Sequence, residues 1–243
     1  MTSLISQFHP ISLEEMGGIR LMNRTDTKFV TTTDKLLRLL QMAGSDYRIQ
    51  EIDGKRNMSY STIYLDSHDY AFYNAHHDGH AGRQKVRIRS YVDSHMSFLE
   101  VKTKDNHGKT RKCRMPIDAT DDMACKEFLQ DNIGINPASL ERKIENSFHR
   151  ITLVNNAKTE RLTIDTDLSF HNITTGNRCS LDHVVIIELK RDGLKPSPIL
   201  GMLRTLRIKQ CGFSKYCIGE ALTNPGLRVN RMKPRLMRLA KLS

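Results

Sequence analysis

Cationic and apolar residues alternate along several short stretches of the chain. In RQKVRIRSY, residues 83–91, every second position from Arg83 to Arg89 is a cation, and Val86 and Ile88 fall between them. Successive side chains of a β-strand point to opposite faces of the sheet. The stretch therefore predicts a strand with four positive charges on one face and an apolar pair on the other.

Six further stretches show the period of two that predicts strands. They are NRTDTKF (23–29), SYSTIYLDS (59–67), MSFLEVKTK (96–104), SFHRITLVN (147–155), ERLTIDTDLSF (160–170) and HVVIIELKRD (183–192). Short polar connections favour antiparallel pairing between them. Helices are predicted over residues 34–43, 121–134 (behind Thr120), 198–210 and 214–222, from apolar spacing and from capping residues. The pattern predicts one α+β domain over residues 1–243.

The charged faces admit two interpretations. A sheet with one face on a core and one in water carries charged residues as a matter of course. Here, however, lysines and arginines concentrate on consecutive strands, with single carboxylates at Glu100, Asp165, Asp167 and Glu188. If the sheet closes into a barrel, these faces line a basic lumen, in which neighbouring cations repel by about 1 to 4 kcal/mol. Such a lumen requires a polyanion, and its carboxylates either pair with cations or hold a divalent metal.

Overall charge agrees with an anionic partner without identifying it. Lys and Arg number 38 against 27 Asp and Glu, which gives a net charge of +11. The five cysteines lack C-x-x-C spacing, which disfavours a disulfide framework and a zinc site and predicts reduced thiols in a cytoplasmic protein. No stretch has the ~18 apolar residues of a membrane span. Aromatic residues make up 6% with no tryptophan, which disfavours a specific nucleic-acid site.

Seven motifs in order resemble the catalytic domain of the vacuolar transporter chaperone (VTC) polyphosphate polymerases, a branch of the CYTH-like triphosphate tunnel metalloenzymes. They are LMNRTDTKF, STIYLDS, KVRIRSY, FLEVKTK, RLTIDTDLSF, IIELKRD and GFSKY, and the resemblance as a whole extends from about residue 10 to residue 222. The resemblance implies a closed, eight-stranded antiparallel β-barrel with flanking helices. It also implies ATP-dependent transfer of the γ-phosphate to a growing polyphosphate chain, with Mn²⁺ or Mg²⁺ as cofactor.

Site residues follow from the resemblance together with the alternation. The expected catalytic, phosphate-binding residues are Lys28, Arg87, Arg89, Lys102, Arg150, Arg161 and Lys215. Further substrate contacts are expected from Lys85, Tyr91, Lys104, Lys190 and Ser214, although the three lysines fit rim positions equally well. The expected metal ligands are Glu188 and Glu100. Asp165 and Asp167 are weaker candidates, and pairing with the cations is the alternative for all four carboxylates.

Two departures from the family pattern affect these expectations. Phe148 stands where the family often has a tyrosine, which removes a hydroxyl that could contact phosphate. Arg24 takes the first acidic position of the E-x-E-x-K motif found in other branches, which favours the polymerase branch.

Alternatives remain open at this point. They are a tripolyphosphate or nucleoside triphosphate hydrolase on the same tunnel and a non-catalytic polyphosphate-binding module. The basic segment 223–243 is either a mobile tail or a surface that docks on an acidic membrane or a partner. A membrane-embedded partner and a peripheral position at the inner face of the membrane are expected from relatives. HHDGH, with His76, His77 and His80, is predicted to be a solvated loop.

Overall fold

The computed structural model describes residues 1–17, 24–106, 109–117, 122–193 and 195–242. Within these ranges the chain forms eleven strands: β1 (His9–Ile11), β2 (Arg24–Thr32), β3 (Tyr47–Gln50), β4 (Met58–Ser67), β5 (Arg83–Tyr91), β6 (Met96–Lys104), β7 (Thr110–Pro116), β8 (Leu140–Asn155), β9 (Glu160–Asn172), β10 (Arg178–Leu181) and β11 (Val184–Asp192). The same ranges contain eight α-helices: α1 (Thr2–Ile5), α2 (Leu13–Gly17), α3 (Thr33–Ala43), α4 (Ala71–Asp78), α5 (Asp122–Asn132), α6 (Pro198–Thr205), α7 (Lys215–Thr223) and α8 (Lys233–Ala240). The predicted α+β class is confirmed.

Eight strands form one continuous antiparallel path, in the order β2-β11-β9-β8-β4-β5-β6-β7. Three short strands lie beside this path: β1 pairs in parallel with β3, β3 pairs with β8, and β10 pairs with β9. In the described ranges no backbone pairing joins β2 to β7, so the predicted closure into a barrel is not confirmed. The sheet nevertheless curls: Lys28 on β2 and Thr110 on β7, the two end strands of the path, line the same cavity.

The apolar positions between the cations face helices on the outside of the curl. Ile164 on β9 and Ile187 on β11 pack in one cluster with Leu36 and Leu39 of α3 and Leu203 of α6. Val86, Leu99 and Val101 of β5 and β6 form a second cluster with Leu129 of α5 and Phe72 of α4. The alternation therefore separates a helix-covered outer face from a charged inner face.

Helix α7 closes part of the concave side. Its Tyr216 and Ile218 pack in a third apolar cluster with Phe148, Phe170 and other residues of the sheet. The hydroxyl of Ser214 accepts a hydrogen bond from the Cys217 amide at 3.3 Å and so caps the helix. This cap fixes Ser214 and Lys215 at the start of α7, where both side chains face the charged side of the sheet.

Two segments differ from the predicted elements. The helix predicted over 198–210 ends at Thr205, because Arg207 takes a left-handed conformation (φ 53°) and the Ile208 amide bonds back to the Leu203 carbonyl. His76 and His77 lie in α4 rather than in a solvated loop, and the α4 amides of Phe72 and Tyr73 donate to the Asp66 carboxylate, both at 2.8 Å. The beginning of the predicted helix at residues 120–121, like the Arg24 side chain, lies outside the described residues.

The segment predicted as a mobile tail or docking surface contains a packed helix. Met232 and Leu239, before and within α8, are buried in the cluster that contains Tyr216. The Arg238 guanidinium donates to the carbonyls of Gln210 and Lys209 at 3.3 and 3.2 Å. These contacts hold the segment against the molecule. No helix in the described ranges is both long and apolar enough to cross a bilayer.

Candidate functional site

A cavity of about 1160 Å³ lies on the concave side of the sheet. Most of its lining is polar or cationic: Thr25, Asp26, Lys28, His76, Arg83, Lys85, Lys102, Lys104, Lys109, Thr110, Glu188, Gln210, Gly212, Phe213, Ser214, Ile218, Met232 and Arg235. Six predicted site residues are in this set: Lys28, Lys85, Lys102, Lys104, Glu188 and Ser214. They come from β2, β5, β6, β11 and the start of α7, so the curl of the sheet brings distant parts of the sequence together.

Glu188 lies in the cavity wall between two lysines. Its carboxylate contacts the ammonium of Lys28 at 2.8 Å and that of Lys190 at 3.2 Å. Burial alone raises the pKa of Glu188, but the positive charges of Lys190 and Lys28 outweigh burial and hold this pKa well below its ordinary value. Glu188 is therefore ionised at every physiological pH.

Asp165 forms the second arrangement of this kind, deeper in the fold. The Arg150 guanidinium donates to both carboxylate oxygens, from Nε at 2.6 Å and from Nη2 at 2.8 Å, and the Lys215 ammonium donates to Oδ2. Burial raises the pKa of Asp165, but Arg150 and Lys215 more than offset this and lower it strongly. The bidentate pair leaves Nη1 of Arg150 outside these bonds.

Glu100 forms the third arrangement and is fully buried. Its carboxylate accepts from Nε of Arg87 at 2.7 Å and from the ammonium of Lys112. Burial raises the pKa of Glu100, and the charges of Arg87 and Lys112 overcome burial and lower it to about 2. Glu100 is not part of the cavity lining. This geometry matches the alternative in which Glu100 is an ion-pair partner, and its role as a metal ligand stays a prediction.

Two other cations on the inner face, Lys102 and Lys85, have no carboxylate partner among the described residues. Lys102 on β6 lies opposite Lys85 on β5 and Lys112 on β7, so three lysines form one row across the sheet. Burial, and then the charge of Arg87, lower the pKa of Lys102 to about 7. Burial and the charges of Lys28 and Arg87 lower that of Lys85 to about 8, and its ammonium donates to Ser214 Oγ at 2.9 Å.

The remaining predicted residues lie away from the cavity lining. Arg89 is buried beneath the ring of Tyr60, and burial together with Arg87 and Arg150 lowers its pKa to about 10. Arg161 lies opposite Lys190 on the neighbouring strand. Tyr91 packs against Tyr60 and Phe98, with ring centroids 5.0 and 5.7 Å apart, so its ring is part of an aromatic cluster.

Phe148 is covered by cations. The Lys215 ammonium lies 3.9 Å from the centre of its ring, and the Arg150 guanidinium lies 5.1 Å from it. A phenylalanine thus retains a cation–π contact at the position where the resemblance leads one to expect a tyrosine hydroxyl.

The sequence-based prediction missed several charged or polar residues of this region, among them Lys112, His76 and Arg235. Lys112 lies on β7, where the alternation of Lys112 and Arg114 with Cys113 and Met115 was a usable signal. His76 lies in a helix that was predicted as a loop. Arg235 lies far along the chain from the strands whose cavity it lines, and no local pattern marks it.

The fit of a divalent metal can be tested on the carboxylates. No group of three or more His, Cys, Asp or Glu side chains in the described parts of the chain could hold a metal ion. Mg²⁺ typically binds one or two protein carboxylates and completes its coordination with water and substrate phosphate oxygens. Of the three paired carboxylates, Glu188, Asp165 and Glu100, only Glu188 is in the cavity lining of the described residues. Its carboxylate fits that kind of site.

Comparison with protein-family models matches residues 23–224 to the VTC domain. Comparison with curated proteins gave no match.

Two solved structures illustrate the likeness in fold. A Vibrio parahaemolyticus protein provisionally named an adenylate cyclase is 9% identical, with 82% of this chain and 99% of that chain covered and a TM-score of 0.48. A Hippeastrum protein, provisionally named an adenylyl cyclase and described as having a dominant triphosphatase activity, is 13% identical, with 84% and 98% covered and a TM-score of 0.47. At these identities and TM-scores the likenesses do not bear on activity.

Proposed function

Because the chain belongs to the VTC domain family, we propose that it is a polyphosphate polymerase that transfers the γ-phosphate of ATP to a growing polyphosphate chain. One observation carries the proposal. Beyond three carboxylates that are each held between two cations, the inner face of the sheet has further cations with no described carboxylate partner, including the buried Arg89 and the half-buried Lys85 and Lys102. A chain of phosphates is a ligand that matches such a face in both charge and shape.

Electrostatics supports a polyanionic ligand. Two unit charges ~6 Å apart repel by about 3 kcal/mol at an effective dielectric constant of 20. The row formed by Lys85, Lys102 and Lys112 places like charges directly opposite each other on adjacent strands, an arrangement that destabilises a sheet. A bound phosphate chain converts this repulsion into attraction, which favours the occupied state.

The reaction requires positioning and charge neutralisation more than covalent chemistry from the protein. A terminal oxygen of the polyphosphate forms a bond to the γ-phosphorus of ATP. The bond from that phosphorus to the β–γ bridging oxygen breaks, and ADP leaves with the electron pair. Lys28, Lys85 and Lys102, which line the cavity, hold non-bridging oxygens as point charges.

A bound Mg²⁺ or Mn²⁺ would be held by Glu188 and would neutralise charge on the phosphate oxygens. Lys28 and Lys190 contact the Glu188 carboxylate, and a metal bound there would replace these contacts. Both lysines are then placed to turn toward phosphate.

The test compares the wild-type protein with Glu188→Gln, in ATP with Mn²⁺ or with Mg²⁺. We expect the wild type to form ADP together with internal phosphate groups visible by ³¹P NMR, and Glu188→Gln to lose more than about 100-fold in rate. Circular dichroism checks that the variant keeps its fold. Glu15→Gln removes a carboxylate from an exposed ion pair with Arg48 and is the matched control, with wild-type turnover.

Two other outcomes identify the alternatives. Release of orthophosphate without chain growth identifies a triphosphate hydrolase. Tight binding of polyphosphate without turnover under any metal identifies a binding module. Either result overturns the proposed polymerase.

A further inference from the structure

Helix α8 lies beyond residue 224, where the match to the VTC domain ends. It is nevertheless fixed to the molecule by the buried Met232 and Leu239 and by the hydrogen bonds of Arg238 described above. Because of this anchoring, side chains on α8 have defined positions relative to the cavity.

Arg235 of α8 lines the cavity. Its Nε and Nη2 lie 3.9 Å from the position that a Cβ on Gly212 would take, which places the guanidinium beside the segment that leads to Ser214. Its described hydrogen bond is to the weakly accepting sulfur of Met232, at 3.5 Å. No described carboxylate lies within ion-pair distance of this guanidinium.

Four other residues line the same cavity as Arg235: His76, and Arg83, Lys85 and Lys104, whose charges act on His76 together with that of Arg235. We call these five residues the α8 subsite. The described contacts of Arg83 and Lys85 are to the His80 carbonyl and the Ser214 hydroxyl, both neutral groups. Nδ1 of His76 is buried without a hydrogen-bond partner in the described structure.

The charge of the α8 subsite acts on His76. Burial, and then the charges of Lys85, Arg83, Arg235 and Lys104, lower the pKa of His76 to about 3. The imidazole is therefore neutral at physiological pH and has one N–H to donate. A phosphate oxygen in the α8 subsite can accept that hydrogen bond as well as contacts from the cations.

From this placement we infer that the α8 subsite binds phosphate groups of a linear polyphosphate beyond the first three, with Arg235 as the contact that α8 contributes. The cations paired with Glu100, Asp165 and Glu188 have internal counter-charges, whereas those of the α8 subsite depend on an external anion. The inference rests on the proposed function, because it specifies the length of chain that the same cavity recognises.

The test measures equilibrium binding of triphosphate and of long-chain polyphosphate, without ATP or turnover. Deletion of α8 is unsuitable because it would remove Leu239 and uncover Met232 and the apolar cluster on which the helix packs, so we use Arg235→Gln. We expect this variant to bind long-chain polyphosphate at least about fivefold more weakly, which is ~1 kcal/mol, and to bind triphosphate within about twofold of wild type. Arg235→Lys keeps the charge and should recover most of the long-chain affinity.

Lys233→Gln is the matched control, since it removes one charge from the exposed surface of the same helix, away from the cavity lining. Equal effects of Arg235→Gln and Lys233→Gln on long-chain binding would overturn the inference. The loss of one positive charge from the protein, wherever it lies, would then explain both effects. Equal loss of triphosphate and long-chain affinity would also overturn it, by placing Arg235 in the triphosphate site. If the wild type binds neither ligand, the proposed function itself fails.

Discussion

Lys102 has a cation directly opposite it on each neighbouring strand, Lys85 on one side and Lys112 on the other. Lys112 has Glu100 as a partner and Lys85 has Ser214, whereas the described contacts of Lys102 include no carboxylate. Its pKa of about 7, which burial and Arg87 set, places its loss of charge in the physiological range. Its protonation is therefore sensitive to small changes in pH and to any anion that approaches.

We predict that the affinity for triphosphate falls as pH rises from 6.5 to 9. Below pH 7 the Lys102 ammonium is charged and attracts phosphate, and above pH 7 it loses its proton and that attraction. Lys102→Arg stays charged over the whole range, so its affinity for triphosphate should fall less. At pH 9 we expect the variant to have lost about tenfold less affinity than the wild type. Calorimetric titrations of both proteins across this range provide the measurement, and ionisation of the ligand cancels in the comparison. Identical pH profiles would contradict the role given to Lys102.

Individual site residues were predictable where a strand pattern or a family motif placed them. Alternation and the family motifs located Lys28, Lys102 and Glu188, which do line the cavity. The same alternation could not show that Glu100 would be enclosed by Arg87 and Lys112, because the second partner lies on a strand that was not predicted.

Helix α7 packs unusually close to the sheet, and Gly219 permits this approach. A Cβ at residue 219 would lie 2.5 Å from the Phe170 ring and 2.7 Å from Ile144 Cδ1, both of which are buried in the same cluster. Gly201 in α6 offers a comparison, because a Cβ there would meet nothing within 4 Å.

We expect Gly219→Ala to destabilise the protein and Gly201→Ala to stabilise it slightly. Overpacking at residue 219 costs about 1–3 kcal/mol or more of unfolding free energy, because the aromatic ring and the helix must move apart. At residue 201 the added methyl group restricts the unfolded chain and gains up to about 1 kcal/mol. Urea denaturation of the two variants measures both changes. Equal stabilities would show that α7 can shift without cost, contrary to the described packing.

Elements with a regular pattern were predicted well, and elements defined by tertiary contacts were not. Strands β4, β5, β6, β9 and β11 fall within a few residues of the predicted stretches, because alternation reports burial on one face. Helix α4 was missed because the Asp66 carboxylate that holds its first turn precedes it by several residues. Helix α8 was missed because its basic residues concealed the few apolar side chains that pack.

Across the whole molecule, the lysines on the inner face of the sheet repel one another and so lower the stability of the unliganded fold. Burial and neighbouring cations depress the pKa values of Lys85, Lys102 and Lys215 below that of an ordinary lysine. The unfolded chain binds these protons more strongly, so the repulsion is largest below pH 7 and declines as pH rises through the depressed values.

We predict that triphosphate raises the melting temperature more at pH 6.5 than at pH 9.5. At a ligand concentration 100 times the dissociation constant, linkage contributes about 2.7 kcal/mol. For a chain of this length that corresponds to a rise of about 5–10 °C. Differential scanning calorimetry at matched ionic strength, with chloride as the control anion, separates specific binding from screening. An equal rise with chloride would rule out a specific polyanion site.

The family resemblance predicted eight antiparallel strands closed into a barrel, and the structure contains an eight-stranded antiparallel path whose closure is not confirmed. Alternation along the chain predicted seven of these strands and missed β7. Whether β2 and β7 pair depends on the curvature of the whole sheet, a property that no local pattern encodes.

The pairing of β2 with β11 also determines when the cavity can form during folding. Lys28 and Glu188 are 160 positions apart in sequence, whereas β5 and β6 are joined by a four-residue connection. Contacts between distant segments form late, because the chain must first lose the entropy of the long intervening loop. We therefore expect the hairpin that carries Arg87 and Lys102 to form before Lys28 and Glu188 meet across β2 and β11. The binding cavity is then among the last features of the molecule to be assembled.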